Sequence, residues 1–149
     1  MKSGKNVKEE GSVVMLDFCK LQEYFAKQDG KGKNVMPVVV QDATTKEVLI
    51  LAYVNKQALE YSLANRVAAF WSTSRDEIWI KGLTSGSTLK LIEVRVNCDQ
   101  NSLLFLVEPV NGAGACHTKD KSGYRTGCYY RRLLNSFKLQ FLGEERSRL

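Results

Sequence analysis

The chain has 149 residues, of which 22 are Lys or Arg and 16 are Asp or Glu, so its formal net charge is +6. This length suits one domain that buries a core without disulfides, and a hydrophobic fraction of 44% excludes a wholly disordered chain. No apolar run approaches the ~20 residues that a transmembrane helix needs, and the polar start carries no signal peptide. We therefore expect a cytoplasmic protein with no membrane partner.

The first half of the chain predicts two short helices and two strands. Residues 1–15 are rich in Lys, Gly, Ser and Glu, which predicts a flexible leader. A helix is predicted over 17–27, because its first residue is an aspartate that can act as N-cap and apolar residues follow at helical spacing. Strands are predicted over 37–41 and 48–53, and a second helix over 55–65 begins with an asparagine N-cap.

The second half of the chain predicts mainly strands. Apolar and β-branched runs predict strands over 67–72, 78–80, 88–96 and 103–107, separated by turns that contain glycine. Residues 133–149 are predicted to be a basic C-terminal extension. The chain thus predicts one mainly β domain of the α+β class, with two short helices and strands of mixed direction packed in two layers.

The four cysteines are better interpreted as thiols or metal ligands than as disulfides in a chain that is not exported. Cys19 lies in the predicted first helix and is expected to be a small buried hydrophobe. Cys98, Cys116 and Cys128 lie in loop sequences that would leave a thiolate accessible, and the single histidine, His117, is adjacent to Cys116. Thiolate and imidazole are preferred donors for Zn²⁺. A nucleophilic Cys116–His117 pair is the competing interpretation.

A second group of possible metal ligands surrounds Cys98. Asn97, Asp99 and Asn101 alternate, so in an extended segment their side chains would share one face. Oxygen donors at that spacing suit Mg²⁺. Only one of the three is a carboxylate, which predicts low affinity, and the alternative is a solvated turn.

Positive charge is concentrated near the C-terminus. From residue 117 to residue 149 there are eight Lys or Arg and three Asp or Glu, which accounts for +5 of the net charge. Such a block favours an anionic partner, either nucleic acid or a phosphorylated small molecule. No recognition helix or paired aromatic motif of a nucleic-acid module is evident, so no nucleic-acid partner is expected. Trp71 and Trp79 are expected to be core aromatics rather than base-stacking platforms.

Eight short motifs occur in one order between about residues 16 and 132. They occupy residues 38–42, 48–55, 70–75, 79–82, 84–86, 97–99, 115–118 and 128–131. In this series the chain resembles the phosphoribosyl-AMP cyclohydrolase family, which acts at the third step of histidine biosynthesis. The resemblance predicts a domain over 16–132. One difference is that Cys116 and Cys128 are further apart than in the common family pattern, and the extra residues over 119–125 predict an extended loop.

The resemblance implies an intertwined homodimer with one Zn²⁺ per subunit, bound by Cys98, Cys116 and Cys128 drawn from both chains. It also implies Mg²⁺ at three alternating aspartates, which here are Asn97, Asp99 and Asn101. The two amides remove most of the charge that would hold Mg²⁺, so the phosphates of the substrate would have to supply the missing ligands. The implied reaction is hydrolytic opening of the adenine ring of 1-(5-phosphoribosyl)-AMP between N1 and C6.

The resemblance also implies roles for polar residues around the site. His117 would transfer a proton or complete the zinc coordination. The implied substrate-binding residues, which would hold two phosphates, are Arg75, Lys81, Thr84, Ser85, Gly86 and Arg131. The alternative hypothesis is a non-catalytic, zinc-stabilised nucleotide-binding module in which the Mg²⁺ site has decayed.

Overall fold

A computed structural model describes residues 8–29 and 33–143. The helices are α1 (Gln22–Asp29) and α2 (Lys56–Asn65). The strands are β1 (Met36–Asp42), β2 (Val48–Val54), β3 (Phe70–Ser72), β4 (Glu77–Trp79), β5 (Leu89–Val96), β6 (Leu103–Pro109), β7 (Lys119–Asp120), β8 (Gly123–Tyr124), β9 (Arg131–Leu133) and β10 (Leu139–Phe141). In the described ranges, no helix is long and apolar enough to cross a membrane.

A four-stranded sheet in the order β2-β1-β6-β5 forms the centre of the molecule. β1 pairs antiparallel with β2 and parallel with β6, and β6 pairs antiparallel with β5. Three two-stranded sheets, β3–β4, β7–β8 and β9–β10, surround it. The predicted mainly β class with mixed strand pairing and short helices is confirmed.

The core lies on one face of the central sheet. Along β1 the side chains of Met36, Val38 and Val40 alternate with half-buried neighbours, as the two-residue period of a strand requires. Phe105 of β6 is fully buried, and its ring stacks on that of Phe70 with 6.1 Å between centroids. This contact joins β3 to the central sheet.

The second helix begins where the sequence predicts. The Asn55 side chain accepts a hydrogen bond from the Ala58 amide at 2.8 Å, so it is the N-cap of α2. Inside α2, the buried Ser62 hydroxyl donates to the Ala58 carbonyl at 2.8 Å and accepts from the Ala69 amide at 2.9 Å. The helix is thereby tied to the segment that leads into β3.

The first helix begins later than predicted. The Asp17 carboxylate accepts a hydrogen bond from the Cys19 amide, two residues on, at 2.8 Å. This bond closes a local turn instead of capping a helix, and α1 starts only at Gln22. The prediction that Cys19 is a buried hydrophobe is wrong, because it precedes the helix and is exposed.

The described part of the predicted leader, residues 8–15, is hydrogen bonded to one buried side chain. Gln100 donates through Nε2 to the carbonyls of Lys8 and Val13 at 3.1 and 3.0 Å, and its Oε1 accepts from the Met15 amide. Residues 1–7 lie outside the described residues. The division into leader, domain and extension stays a prediction.

Two hairpins lie in the last third of the chain. Residues 119–124, predicted as part of an extended loop, form the β7–β8 hairpin, whose turn is fixed by the Ser122 amide donating to the Asp120 carboxylate at 2.7 Å. The β9–β10 hairpin extends into the predicted basic extension. Residues 144–149 of that extension lie outside the described part of the chain.

Candidate active site

An open cavity of about 640 Å³ lies between β2 and the β3–β4 hairpin. Its lining residues include predicted site residues from distant parts of the sequence. They are Ile50, Leu51, Ala52, Tyr53, Phe70, Trp71, Ser72, Thr73, Ser74, Arg75, Trp79, Ala115, His117 and Cys128.

Two tryptophans form an apolar wall of this cavity. Across the β3–β4 hairpin Trp71 pairs with Ile78 and Trp79 pairs with Phe70, and both tryptophans pack against the hydrophobic core, as predicted. Trp71 also donates its indole N–H to the Asp76 carboxylate at 3.3 Å, and the Trp79 ring lies 5.4 Å from that of Phe70. Both rings are only half-buried and line the cavity, so they offer flat surfaces to a ligand as well as belonging to the core.

Cys116 and Cys128 lie side by side next to the cavity. The Cys128 amide donates to the Leu49 carbonyl of β2 at 2.7 Å, and the Cys116 amide donates to the Arg125 carbonyl at 3.2 Å. The two thiols are close enough for each to shift the pKa of the other. The expectation of an accessible thiolate holds for Cys128, which is exposed, but is wrong for Cys116, which is 2% exposed.

The two thiols differ in acidity. Burial raises the pKa of Cys116, but hydrogen bonds from the Thr118 hydroxyl and amide, the bond with Cys128 and the charge of Arg125 together bring it below its ordinary value. Burial, the hydrogen bond with Cys116 and the charge of Cys116 raise the pKa of Cys128 to about 11. Of the two, Cys116 therefore gives up its proton more readily, and a pair of sulfurs is a soft donor set suited to Zn²⁺.

Cys98 is far from this pair within one chain. Cys98 lies in the turn after β5, whereas the Cys128 amide is hydrogen bonded to a carbonyl of β2. The strands β5 and β2 are the two edges of the central sheet. Three strand spacings separate those edges, which is about 14 Å. Accordingly, the described residues of a single chain contain no group of three His, Cys, Asp or Glu that could hold a metal ion.

The segment around Cys98 is a tight turn, which was the alternative to an extended segment with the three side chains on one face. Gln100 has a φ of 53°, and the Asn97 side-chain oxygen accepts from the amides of Asn101 and Ser102 at 2.9 and 3.0 Å. The Asn97 amide group donates to the Asn101 side-chain oxygen at 2.7 Å. The side-chain oxygens of Asn97 and Asn101 are therefore used to stabilise the turn. Asp99 is the single carboxylate at the three positions, and this set of donors does not fit a Mg²⁺ site.

The structure brings one predicted phosphate ligand to the cavity. Arg75 lines it and also lies 3.4 Å from the Glu77 carboxylate. The other five, which lie elsewhere in the described chain, are Lys81, Thr84, Ser85, Gly86 and Arg131. Residues 84–86 belong to a turn in which the Gly86 amide donates to the Gly82 carbonyl at 2.9 Å.

Sequence reasoning missed the groups that contact Cys116. The Thr118 hydroxyl lies 2.9 Å from the Cys116 sulfur and accepts a hydrogen bond from the Arg125 guanidinium at 3.1 Å. The same guanidinium lies 4.2 Å from the centre of the Tyr130 ring, which connects the cysteine to the start of the β9–β10 hairpin. The spacing of two residues between Cys116 and Thr118 was the available signal, since a hydroxyl at that position can reach back to the sulfur.

The sequence matches known proteins over more than half of its length. The family model for phosphoribosyl-AMP cyclohydrolase matches residues 50–130, which include Cys98, Cys116, His117 and Cys128. A phosphoribosyl-AMP cyclohydrolase of Desulfatibacillum aliphaticivorans is 45% identical over 114 residues, which cover 76% of this chain and 86% of that protein. One of Archaeoglobus fulgidus is 46% identical over 101 residues, covering 68% and 87%.

A longer relative also matches. The histidine biosynthesis bifunctional protein HisIE of Prochlorococcus marinus is 46% identical over 91 residues, which cover 61% of this chain and 41% of that protein. The family match spans more than half of the chain, and the first relatives are aligned over most of their own length. The chain belongs to the phosphoribosyl-AMP cyclohydrolase family of enzymes.

Proposed function

We propose that this protein is a zinc-dependent phosphoribosyl-AMP cyclohydrolase that acts in histidine biosynthesis as a cytoplasmic homodimer. The observation that carries the proposal is a cavity lined by His117, Cys128 and two tryptophans, with the free thiol of Cys116 close to that of Cys128. The reaction adds water across the N1–C6 bond of the adenine ring. The oxygen joins C6, the N1–C6 bond breaks, and N1 takes up a proton.

The donor set supports a zinc ion shared by two subunits. One chain supplies the paired thiols of Cys116 and Cys128, and a second copy would supply its Cys98, since the Cys98 of the same chain lies across the sheet. Three thiolates leave one coordination position open, as catalytic zinc sites do. When bound, zinc would supply an activated water nucleophile at neutral pH.

The lining residues of the cavity suit the remaining tasks. The faces of Trp71 and Trp79 suit a planar purine, and their partial burial keeps bulk water from that side. Arg75 provides a fixed positive charge for a phosphate oxygen. His117 is exposed and lines the cavity, which supports the proposal that its imidazole passes a proton to N1 as the ring opens. No step is assigned to Mg²⁺, because the Asn97 turn does not fit it.

A turnover assay with metal analysis tests this proposal. Zinc-loaded protein should convert phosphoribosyl-AMP to the ring-opened aminoimidazole carboxamide product, and Cys116→Ser and Cys128→Ser should each lose bound zinc and activity. Cys19→Ser is the matched control, since Cys19 is an exposed thiol that does not line the cavity, and it should lose neither. If zinc-loaded protein does not turn over phosphoribosyl-AMP, the proposal is refuted and the alternative of a non-catalytic nucleotide-binding module is favoured. Unchanged zinc content in the Cys116 and Cys128 variants would overturn the ligand assignment.

A further inference from the structure

The β7–β8 hairpin presents a cluster of side chains that the proposed function does not yet use. Lys119 and Tyr124 are register partners across the hairpin. The Lys119 ammonium lies 4.6 Å from the centre of the Tyr124 ring, and the Lys81 ammonium, from the loop after β4, lies 4.5 Å from the same centre. A lysine of the hairpin and a lysine from a distant loop thus contact the same aromatic ring.

The charges of this cluster are not balanced within the described part of the chain. There, neither Lys81 nor Lys119 has a carboxylate within salt-bridge distance, and the Asp120 carboxylate accepts from the Ser122 amide instead. The ring face attracts each ammonium, but the two like charges still repel each other. An anion bound between them would remove that repulsion, and a phosphate presents enough oxygens to bind both.

The cluster lies beside the cavity. Lys81 follows Trp79, a lining residue, by two positions. On the other side, the backbone of Tyr124 lies against Gly114, where an added Cβ would be 2.7 Å from the Tyr124 carbonyl oxygen, and Gly114 is adjacent to the lining residue Ala115. The cluster is therefore connected to the cavity lining through Trp79 on one side and through Ala115 on the other.

We propose that Lys81, Lys119 and Tyr124 form a phosphate-binding subsite for one of the two phosphates of the substrate. This inference rests on the proposed function, and it leaves Arg75 inside the cavity for the other phosphate. The tyrosine holds both ammonium groups in place, so less side-chain freedom is lost when the phosphate binds. Lys119 becomes a substrate-binding residue supplied by the stretch that separates Cys116 from Cys128.

Steady-state kinetics of lysine variants test the subsite. Lys119→Ala should raise the KM for phosphoribosyl-AMP about tenfold and leave kcat within about twofold, because it removes one charged contact that is equal in ground and transition state. Lys119→Arg should keep a KM near that of the unaltered protein. Lys121→Ala is the matched control, since Lys121 is an exposed lysine in the turn of the same hairpin. Equal KM values for Lys119→Ala and Lys121→Ala would overturn the inference.

A binding measurement separates this inference from the proposed function. In nuclear magnetic resonance spectra, inorganic phosphate should shift the Tyr124 ring signals of the unaltered protein and of Lys121→Ala, but not those of Lys119→Ala. If zinc-loaded protein does not turn over phosphoribosyl-AMP, the proposed function fails, and these shifts still decide whether the anion subsite exists. Tyr124 signals that do not respond to phosphate would refute the subsite even in an active enzyme.

Discussion

At the scale of single residues, the unequal acidity of the two neighbouring cysteines has a direct consequence for metal uptake. A zinc ligand must be a thiolate, and the pKa of Cys128 is raised to about 11, so this residue is protonated at neutral pH. Cys116, whose pKa is lowered, gives up its proton more readily. Zinc therefore has to displace a proton from Cys128 before both sulfurs can bind it.

We expect zinc binding to release a proton from Cys128 and to strengthen as pH rises. Zinc affinity should rise with pH because the pKa of Cys128 is raised, so protons compete with zinc for this sulfur more strongly as pH falls below about 11. Adding zinc to the metal-free protein at about pH 8 should release at least about one proton per site, measured with an indicator in weak buffer, and Cys128→Ser, which is expected to bind no zinc, should release none. Cys19→Ser should match the unaltered protein. Zinc affinity that does not change with pH would contradict the expectation.

The close approach of the two cysteine-bearing segments depends on Gly114. A Cβ at this position would lie 2.5 Å from the Arg125 carbonyl oxygen, so Gly114→Ala should push apart the backbone that carries Cys116 and lower the free energy of unfolding by about 1–3 kcal/mol. Gly127→Ala is the comparison, since its Cβ would be 3.1 Å from the Leu49 carbonyl and small shifts can relieve that contact. Denaturant unfolding should rank Gly114→Ala as the more damaging change; the reverse order would refute the argument.

At the scale of elements, the start of α2 is set by its Asn55 N-cap, and the helix is further held by the bond of Ser62 to the Ala69 amide. Asn55→Ala should lower the free energy of unfolding by about 1 kcal/mol, because the Ala58 amide loses its side-chain partner. Asn55→Asp keeps an acceptor oxygen and should retain most of the stability. Gln57→Ala, an exposed change in the first turn of the same helix, is the control and should be nearly neutral in urea unfolding. A neutral Asn55→Ala would show that the cap contributes nothing.

The strands of the central sheet could be predicted because they are long and apolar. β1, β2, β5 and β6 each span seven or eight residues, so their hydrophobic pattern stands out from the flanking turns. The β7–β8 hairpin could not be predicted, since each of its strands has two residues and shows no periodicity. The predicted start of α1 was wrong because Asp17 can accept a bond from the Cys19 amide in a turn as well as in a helix cap, and the residues that follow it, 18–21, are not helical.

At the scale of the whole molecule, the site depends on chain topology more than on local pattern. The sequence suggested three cysteines as possible ligands but not which of them meet. The sheet order brings Cys116 and Cys128 to one edge and leaves Cys98 at the other. The same topology explains why Trp71 and Trp79 line the cavity, since their hairpin faces β2 across it. Periodicity predicts the strands of a sheet, but strand order is set by long-range pairing.

Mixing two inactive variants tests whether the zinc site is shared between subunits. If Cys98 of one copy joins Cys116 and Cys128 of another, a mixed dimer of Cys98→Ser and Cys128→Ser subunits contains one intact site. Because half of randomly assembled dimers are mixed, coexpression should restore about a quarter of the full activity and zinc content. Coexpressed Cys116→Ser and Cys128→Ser is the matched control, and it should restore nothing, since both ligands come from the same subunit and every site lacks one. No recovery in the first pair, with each variant folded and dimeric, would contradict a shared site.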